Sequence, residues 1–406
     1  MRPVLMIAFH FPPLAGSSGI QRTLRFAQYL PEHDWQPLVL TASPRAFDRT
    51  SDDLMREVPA DLVVRRSFAL NSARHLAIHG RYPAVLARPD RWIIWALSAI
   101  PAGLRLIKRY RPVAIWSTYP IATAHVVGRW VSRLSGLPWV ADFRDPMAQD
   151  GYPEDPATWR SFERIERNAV ERAAASVFVS RGAAAMYQRR YPGAADRITV
   201  IENGFDEQSY AGIPSTGAPL VPGRRTLLHS GIVYPSERDP RQLLAALAAL
   251  KRSGRAGDLL VRFRASAHDD LLRDLARRHD VADLIDLAPP LPYREALEEM
   301  HRADALLVLQ ASNCNEQIPA KAYEYLRTHR PVLALTDPNG DTADLLRRCG
   351  VRYIAPLDDA VAIERILPEF LTDLGGAVPS APAVAACSRE SRTRELATLL
   401  DRVAAR

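Results

Sequence analysis

Residues 305–336 read ALLVLQASNCNEQIPAKAYEYLRTHRPVLALT. The run Ala305–Gln310 is apolar without alternation and too short for a helix, so it reads as a strand buried on both faces. A polar stretch follows, and Pro319 suits the first position of a helix, where its missing N–H costs nothing. Pro319–Thr328 has helical spacing, and Val332–Thr336 is a second buried run. Strand, helix and strand in close succession form the crossover unit of a parallel sheet.

The alternation extends both ways. Before residue 204, strands are expected at Val4–Phe9, Leu38–Thr41, Ala114–Ser117, Trp139–Ala141, Ser176–Val179 and Ile198–Ile201. Helices are expected at Gln21–Tyr29, Ala102–Tyr110, Ile121–Leu134 and Thr158–Ala174. After residue 225 the strands are Thr226–Ser230, Leu259–Ala265, Leu284–Leu287 and Arg352–Ile354, with helices Arg241–Leu250, Leu271–Arg278 and Tyr293–Arg302. Two doubly wound α/β domains follow from this pattern. Residues 204–225, GFDEQSYAGIPSTGAPLVPGRR, lack apolar periodicity and hold four glycines and three prolines, so they read as a linker. The expected division is 1–203, linker 204–225, 226–385, and a C-terminal helix in 386–406 that can pack back on the N-terminal domain.

The 406 residues are 47% hydrophobic and 24% charged, which excludes a disordered or fibrous chain. Net charge is +7, carried by the first half: residues 1–200 hold 27 Lys and Arg against 17 Asp and Glu, residues 201–406 hold 26 against 29. A basic half favours an anionic ligand or lipid surface over general nucleic-acid binding. Cys314, Cys349 and Cys387 are too few and scattered for a disulfide framework or zinc cluster, which suits a reducing compartment. The apolar start contains His10 and stops at Pro12-Pro13, so it reads as a strand rather than a signal peptide. A cytoplasmic location is expected.

Four constellations at strand ends can carry chemistry. FPPLAGSSG at 11–19 follows the first strand and opens a helix bearing Arg22 and Arg25. Free N–H groups make such a loop an anion site, although neither G-x-G-x-x-G nor a P-loop is present. EQIPAKAYE at 316–324 puts Glu316 before a helix and Glu324 within it. The helix N-terminus suits a diphosphate and the carboxylates accept from sugar hydroxyls. HSGIVYPSERDP at 229–240 ends a strand at a glycine, Gly231, and brings Arg238 seven residues later, a fork for phosphate oxygens. ADFRDP at 141–146 sets Asp142 to position an acceptor hydroxyl and Arg144 to neutralise phosphate charge. The bland alternatives are a plain turn, a helix cap with a surface ion pair, a surface arginine, and a local ion pair shaping the loop.

Together, and in this order, FPP…G, STYP, ADFRDP, ENGFD, HSG…R and the E-x7-E pair resemble the retaining glycosyltransferases of family 4. The resemblance covers nearly the whole chain and is strongest over 316–350, in a bacterial branch that builds surface polysaccharides. It implies the GT-B architecture, two Rossmann-like domains facing across a cleft. It also implies a nucleotide-sugar donor, UDP-sugar favoured, on the C-terminal domain, and a sugar or lipid-linked sugar acceptor on the N-terminal one. By the same resemblance Glu316 binds the donor sugar, flanked by Gln317 and Ile318, and Glu324 binds the ribose. Gly231 and Arg238 serve the phosphates, with Lys321 or Arg144 as the second base, and Gly16 approaches the diphosphate. Asp142 and Arg144 stand on the acceptor side, where many members have a histidine in place of Arg144. The leaving phosphate deprotonates the acceptor on the same face, with no metal and no cofactor.

Rival readings are an epimerase or hydrolase of the same fold and a non-catalytic nucleotide-binding module. A dinucleotide oxidoreductase lacks its glycine fingerprint. His75 and His79 have no third metal ligand nearby, and the acid pairs Asp52-Asp53, Asp269-Asp270 and Asp358-Asp359 read as solvated faces. Trp92 and Trp95, ahead of a helix ending RLIKRYR at 105–111, suit either an anionic bilayer interface or a core helix with a basic end.

Overall fold

The computed structural model describes residues 1–16, 19–77, 79, 82–214 and 217–405. Ser17 and Ser18 of the first loop, and Ser215 and Thr216 of the expected linker, lie outside the described residues. The chain divides into two compact units, Met1–Glu202 with Arg389–Arg406, and Asn203–Ser388.

The first unit runs β1 (Arg2–Ile7), α1 (Gly19–Tyr29), β2 (Trp35–Ala42), β3 (Val63–Ser67), α2 (Ser72–His75), α3 (Trp95–Tyr110), β4 (Ala114–Thr118), α4 (Ala122–Ser135), β5 (Trp139–Phe143), α5 (Pro156–Arg172), β6 (Ala175–Phe178), α6 (Arg181–Arg190) and β7 (Ile198–Val200). Its seven parallel strands are ordered β3-β2-β1-β4-β5-β6-β7. Alternation decides the two faces: Leu5 and Ile7 enter one core, Val4 and Met6 the other.

The second unit runs β8 (Arg225–Ser230), α7 (Arg241–Arg252), β9 (Leu259–Arg264), α8 (Asp269–Arg278), β10 (Ile285–Ala288), α9 (Tyr293–Arg302), β11 (Ala305–Leu309), α10 (Ala320–Arg327), β12 (Val332–Leu335), α11 (Asp341–Arg348), β13 (Ile354–Ala355), α12 (Ala360–Thr372) and α13 (Ala381–Ala385). Its six strands are ordered β10-β9-β8-β11-β12-β13. Leu227 and Leu307 face one core, Leu228 and Leu306 the other.

In each sheet the strand order reverses at the first strand. The switch points lie between β1 and β4 and between β8 and β11, where carboxyl ends leave a crevice. Side-chain caps start several helices, with Asp155 accepting from Thr158 N at 2.9 Å and Ser180 from Ala183 N at 3.2 Å.

The stretch expected as a linker does not stay outside: Phe205 and Tyr210 are buried in the second unit's core. Helix α14 (Arg389–Ala404) returns to the first unit, where Leu396, Leu400 and Val403 pack with Leu24 of α1. The sequence reading passes over β3, α6, α11 and α12. Pro319 is the N-cap of α10, in extended conformation, and not its first helical residue. Trp95 is fully buried and donates from Nε1 to Ser67 Oγ at 2.8 Å, so it is a core residue and not an interface anchor. Cys349 and Cys387 are not scattered in space: their sulfurs lie 3.7 Å apart.

Candidate active site

At the switch point of the second unit, β8 ends at His229 and Ser230, both buried. Gly231 follows with φ +150°, a conformation that favours glycine, and an added Cβ would meet nothing within 4 Å. The backbone there is open to a ligand. Tyr325 of α10 is fully buried and its hydroxyl accepts from Ser230 N at 2.7 Å. This bond ties the end of β8 to the helix that carries Glu324.

His229 Nδ1 lies 3.0 Å from Leu307 O, which makes Nδ1 the protonated nitrogen, while buried Nε2 has no protein partner. Burial lowers its pKa to about 4, and Arg238 and Lys321 push it the same way. The two cations are far apart in sequence and act on one ring. Arg238 Nη1 donates to Ile232 O at 2.8 Å, and its guanidinium lies 5.4 Å from the Tyr234 ring centre. Lys321 Nζ pairs with Glu324 Oε2 at 2.7 Å, and Tyr293 Oη donates to Glu324 Oε1 at 3.2 Å. Of the two expected second bases, Lys321 belongs to the same unit as Arg238 and Arg144 to the first unit.

Glu316 and Gln317 are exposed, and Ile318 is half-buried. Their loop is pinned from behind: Gln310 Nε2 donates to Cys314 O and Gln317 O at 2.8 Å each, and Thr342 Oγ1 to Gln317 O at 3.2 Å. Asp341 N also donates to Asn315 O at 3.0 Å, so α11 backs the loop. A cavity of about 700 Å3 opens beside Gly231, lined by Ile232, Ser266, His268 and the Pro289-Pro290 turn. Ala265 and Ala267 flank Ser266 at φ +57° and +60°, left-handed positions that cost energy in residues other than glycine. A second cavity, of about 400 Å3, lies toward β12 and β13, beside Gln310, Ser312 and Asp337.

In the first unit, Gly16 is exposed with φ +78° and open space at its Cβ position. Arg22 and Arg25 are both buried. Arg22 is bonded through Nη2 to Asp142 Oδ1 at 2.7 Å and to Ile201 O at 2.9 Å. Arg25 is paired with Glu57.

Asp142 is likewise fully enclosed, and Thr118 Oγ1 donates to its Oδ2 at 2.7 Å. Asp142 thus holds Arg22 and Thr118 in place. Arg144 and Asp145 sit just beyond, at the carboxyl end of β5. Burial lowers the Arg144 pKa and raises that of Asp145.

The sequence reading misses His10 as a site residue. It follows β1, and burial together with Arg144 lowers its pKa to about 4, leaving a neutral imidazole at pH 7. Its signal was a polar residue breaking the apolar run of the first strand.

The comparisons bear on the fold. Residues 18–204 match the family described as glycosyl transferase 4-like domain. The sequence matches no curated protein. Among solved structures, HepE of Anabaena in complex with UDP aligns with TM-score 0.68 and 15% identity, covering 99% of this chain and 100% of that one. A glycosyltransferase from Rickettsia africae aligns at 0.67 and 14%, covering 99% and 98%. Sucrose-phosphate synthase from Thermosynechococcus elongatus aligns at 0.65 and 14%, covering both chains completely. The fold is GT-B.

Proposed function

We propose that this GT-B chain, whose residues 18–204 match the glycosyl transferase 4-like domain, is an enzyme that transfers a sugar, with retention, from a nucleotide diphosphate to an acceptor hydroxyl. UDP is the favoured nucleotide, and the acceptor belongs to a surface polysaccharide or glycolipid. HepE binds UDP in a structure of the same fold. The observation that carries the reading is the open backbone of Gly231 at the β8–β11 switch point, with Arg238 held on Ile232 O and Lys321 on the helix that Tyr325 ties to the end of β8. Two cations beside an open glycine backbone suit a diphosphate. The adjoining cavity suits the nucleoside.

In the proposed reaction the bond from the sugar's anomeric carbon to the phosphate oxygen breaks. The acceptor oxygen bonds to that carbon on the same face, and its proton passes to the departing phosphate. Arg238 and Lys321 neutralise the charge growing on the diphosphate. Glu316 orients the sugar hydroxyls and Glu324 the ribose. Lys321 must then be shared between Glu324 and phosphate. On the acceptor side, Arg144, Asp145 and neutral His10 supply hydrogen-bonding groups. In this reading Asp142, enclosed and paired with Arg22, acts as a positioning residue.

Thermal stability against UDP, GDP, dTDP, ADP and CMP tests donor binding. A ligand at about 100 times its Kd stabilises by about 2.7 kcal/mol. Glu316→Gln is expected to lower transfer at least about 100-fold while the nucleotide-induced shift persists. Unchanged turnover would overturn the role of Glu316. Inverted anomeric configuration in the product, read by NMR, would overturn retention.

A further inference from the structure

Between Asp90 and Asp142 the sequence has no acidic residue. The structure concentrates that imbalance on one face. Helices α3 and α4 lie side by side, since a Cβ at Gly103 would sit 3.1 Å from Val131 Cγ2. Their carboxyl-terminal halves are therefore level and carry Arg105, Lys108, Arg109, Arg111, Arg129 and Arg133. No hydrogen bond or ion pair joins any of these six side chains to another group among the described residues. Arg129 and Arg133 instead lie 5.9 and 5.8 Å from the centre of the Trp130 ring, which is itself exposed. Arg129 is held below the usual arginine range by burial and by repulsion from Arg172 and Arg133. Six cations without a protein counter-charge among the described residues are complementary to an anionic surface.

The same face also exposes apolar side chains. Leu134 of α4 is 57% exposed and Leu97 of α3 is 79% exposed. Leu97 adjoins exposed Phe68, because Ser98 Oγ donates to Phe68 O. Helix α3 starts at the end of the unit where the strands finish and runs back toward their beginnings. With 16 residues it is about 24 Å long. Its outward side is apolar near the strand ends and cationic at the far end.

We propose that the outward face of α3 and α4 docks on an anionic lipid bilayer, with Trp130 and Leu134 entering the headgroup layer among the cations and Leu97 entering it at the apolar end of α3. Amphipathic side chains and bases of this kind anchor peripheral proteins at the boundary between headgroups and chains. A nucleic-acid backbone would use the cations but leave Leu97, Phe68 and Leu134 in water. Among the described residues no helix is long and apolar enough to cross a membrane, so docking is lateral. The docking deepens the proposed function by presenting the acceptor-side strand ends next to a lipid-linked acceptor.

Sedimentation with phosphatidylcholine vesicles containing 0 or 30% phosphatidylglycerol tests it, at low and high salt. Binding is expected only to the anionic vesicles, weakening with salt. Each neutralised cation is expected to weaken binding about fivefold, so Lys108→Gln with Arg133→Gln gives about 25-fold. Leu97→Ser is expected to weaken binding while leaving its salt dependence unchanged. Absence of binding at low salt overturns the proposal, as does binding that ignores these substitutions. Tighter binding to duplex DNA than to the vesicles reassigns the face to nucleic acid. The UDP-induced thermal shift of each variant is expected to equal that of the parent, so failure of donor binding and failure of docking are read separately.

Discussion

At the scale of single residues, the buried Arg22–Asp142 pair organises strand ends of the first unit. Arg22 also reaches Ile201 O and, at 3.1 Å, Glu202 O, so one guanidinium joins α1, β5 and the exit from β7. Asp142→Asn leaves a buried cation without its counter-charge and is expected to cost about 3–5 kcal/mol in chemical denaturation. Arg22→Met with Asp142→Leu should recover much of that loss; equal loss in the double variant would mean that packing dominates. The sequence showed that an acid and bases gather here. It did not show the pairing, because Arg22 and Asp142 are 120 positions apart. Spacing resolves only partners on one element. Lys321 and Glu324, three positions apart on α10, form such a pair, whereas His10 and Arg144, whose charge acts on it, lie on different elements.

Three imidazoles have pKa values lowered to about 4, and the two that are fully buried make a pH prediction. His125 in the first unit and His229 in the second are buried with pKa values of about 4, in both cases chiefly through burial. Unfolded histidine titrates near 6.5. Between those values the unfolded chain binds more protons than the folded one, so stability falls as pH drops from about 6.5 to about 4. Each group contributes on the order of 3 kcal/mol to that loss. Thermal melts between pH 7.5 and 4.5 check this, and a flat profile would overturn the neutral buried imidazoles.

At the scale of elements, hydrophobic runs located twelve of the thirteen strands because parallel strands are buried on both faces. The missed strand, β3, is VVRRS at the sheet edge, with Arg65 exposed. An edge strand has fewer neighbours and so a weaker apolar signature. Helix α4 illustrates a constraint the sequence hid. A Cβ at Gly128 would lie 2.8 Å from both Ser117 Oγ and Trp139 Nε1. Those two atoms already share a hydrogen bond of 2.8 Å, and Ser117 Oγ lies 2.8 Å from His125 Nδ1. Gly128→Ala is therefore expected to destabilise by about 1–3 kcal/mol through overpacking, seen as a lower melting temperature. An unchanged melting temperature would mean that α4 can move away from the sheet without cost.

At the scale of the whole molecule, α14 belongs to the first unit although the second lies between them in sequence. Arg392 Nη2 pairs with Glu202 Oε2 at 3.0 Å, and Trp35 Nε1 donates to Asp401 Oδ1 at 3.0 Å. Removing residues 389–406 is expected to raise amide exchange in α1 and β1 while leaving β8–β13 protected. Equal loss in both units would mean that the helix stabilises the second unit as well. The arrangement also matters during synthesis. A ribosome adding about 5–20 residues per second takes roughly 10–40 s to make residues 203–388. Throughout that interval the nascent first unit has its sheet and α1 but not α14. Leu24 and the side chains around it stay wet, open to a chaperone or to another nascent chain. The first unit to be translated is thus completed only after the second has left the ribosome.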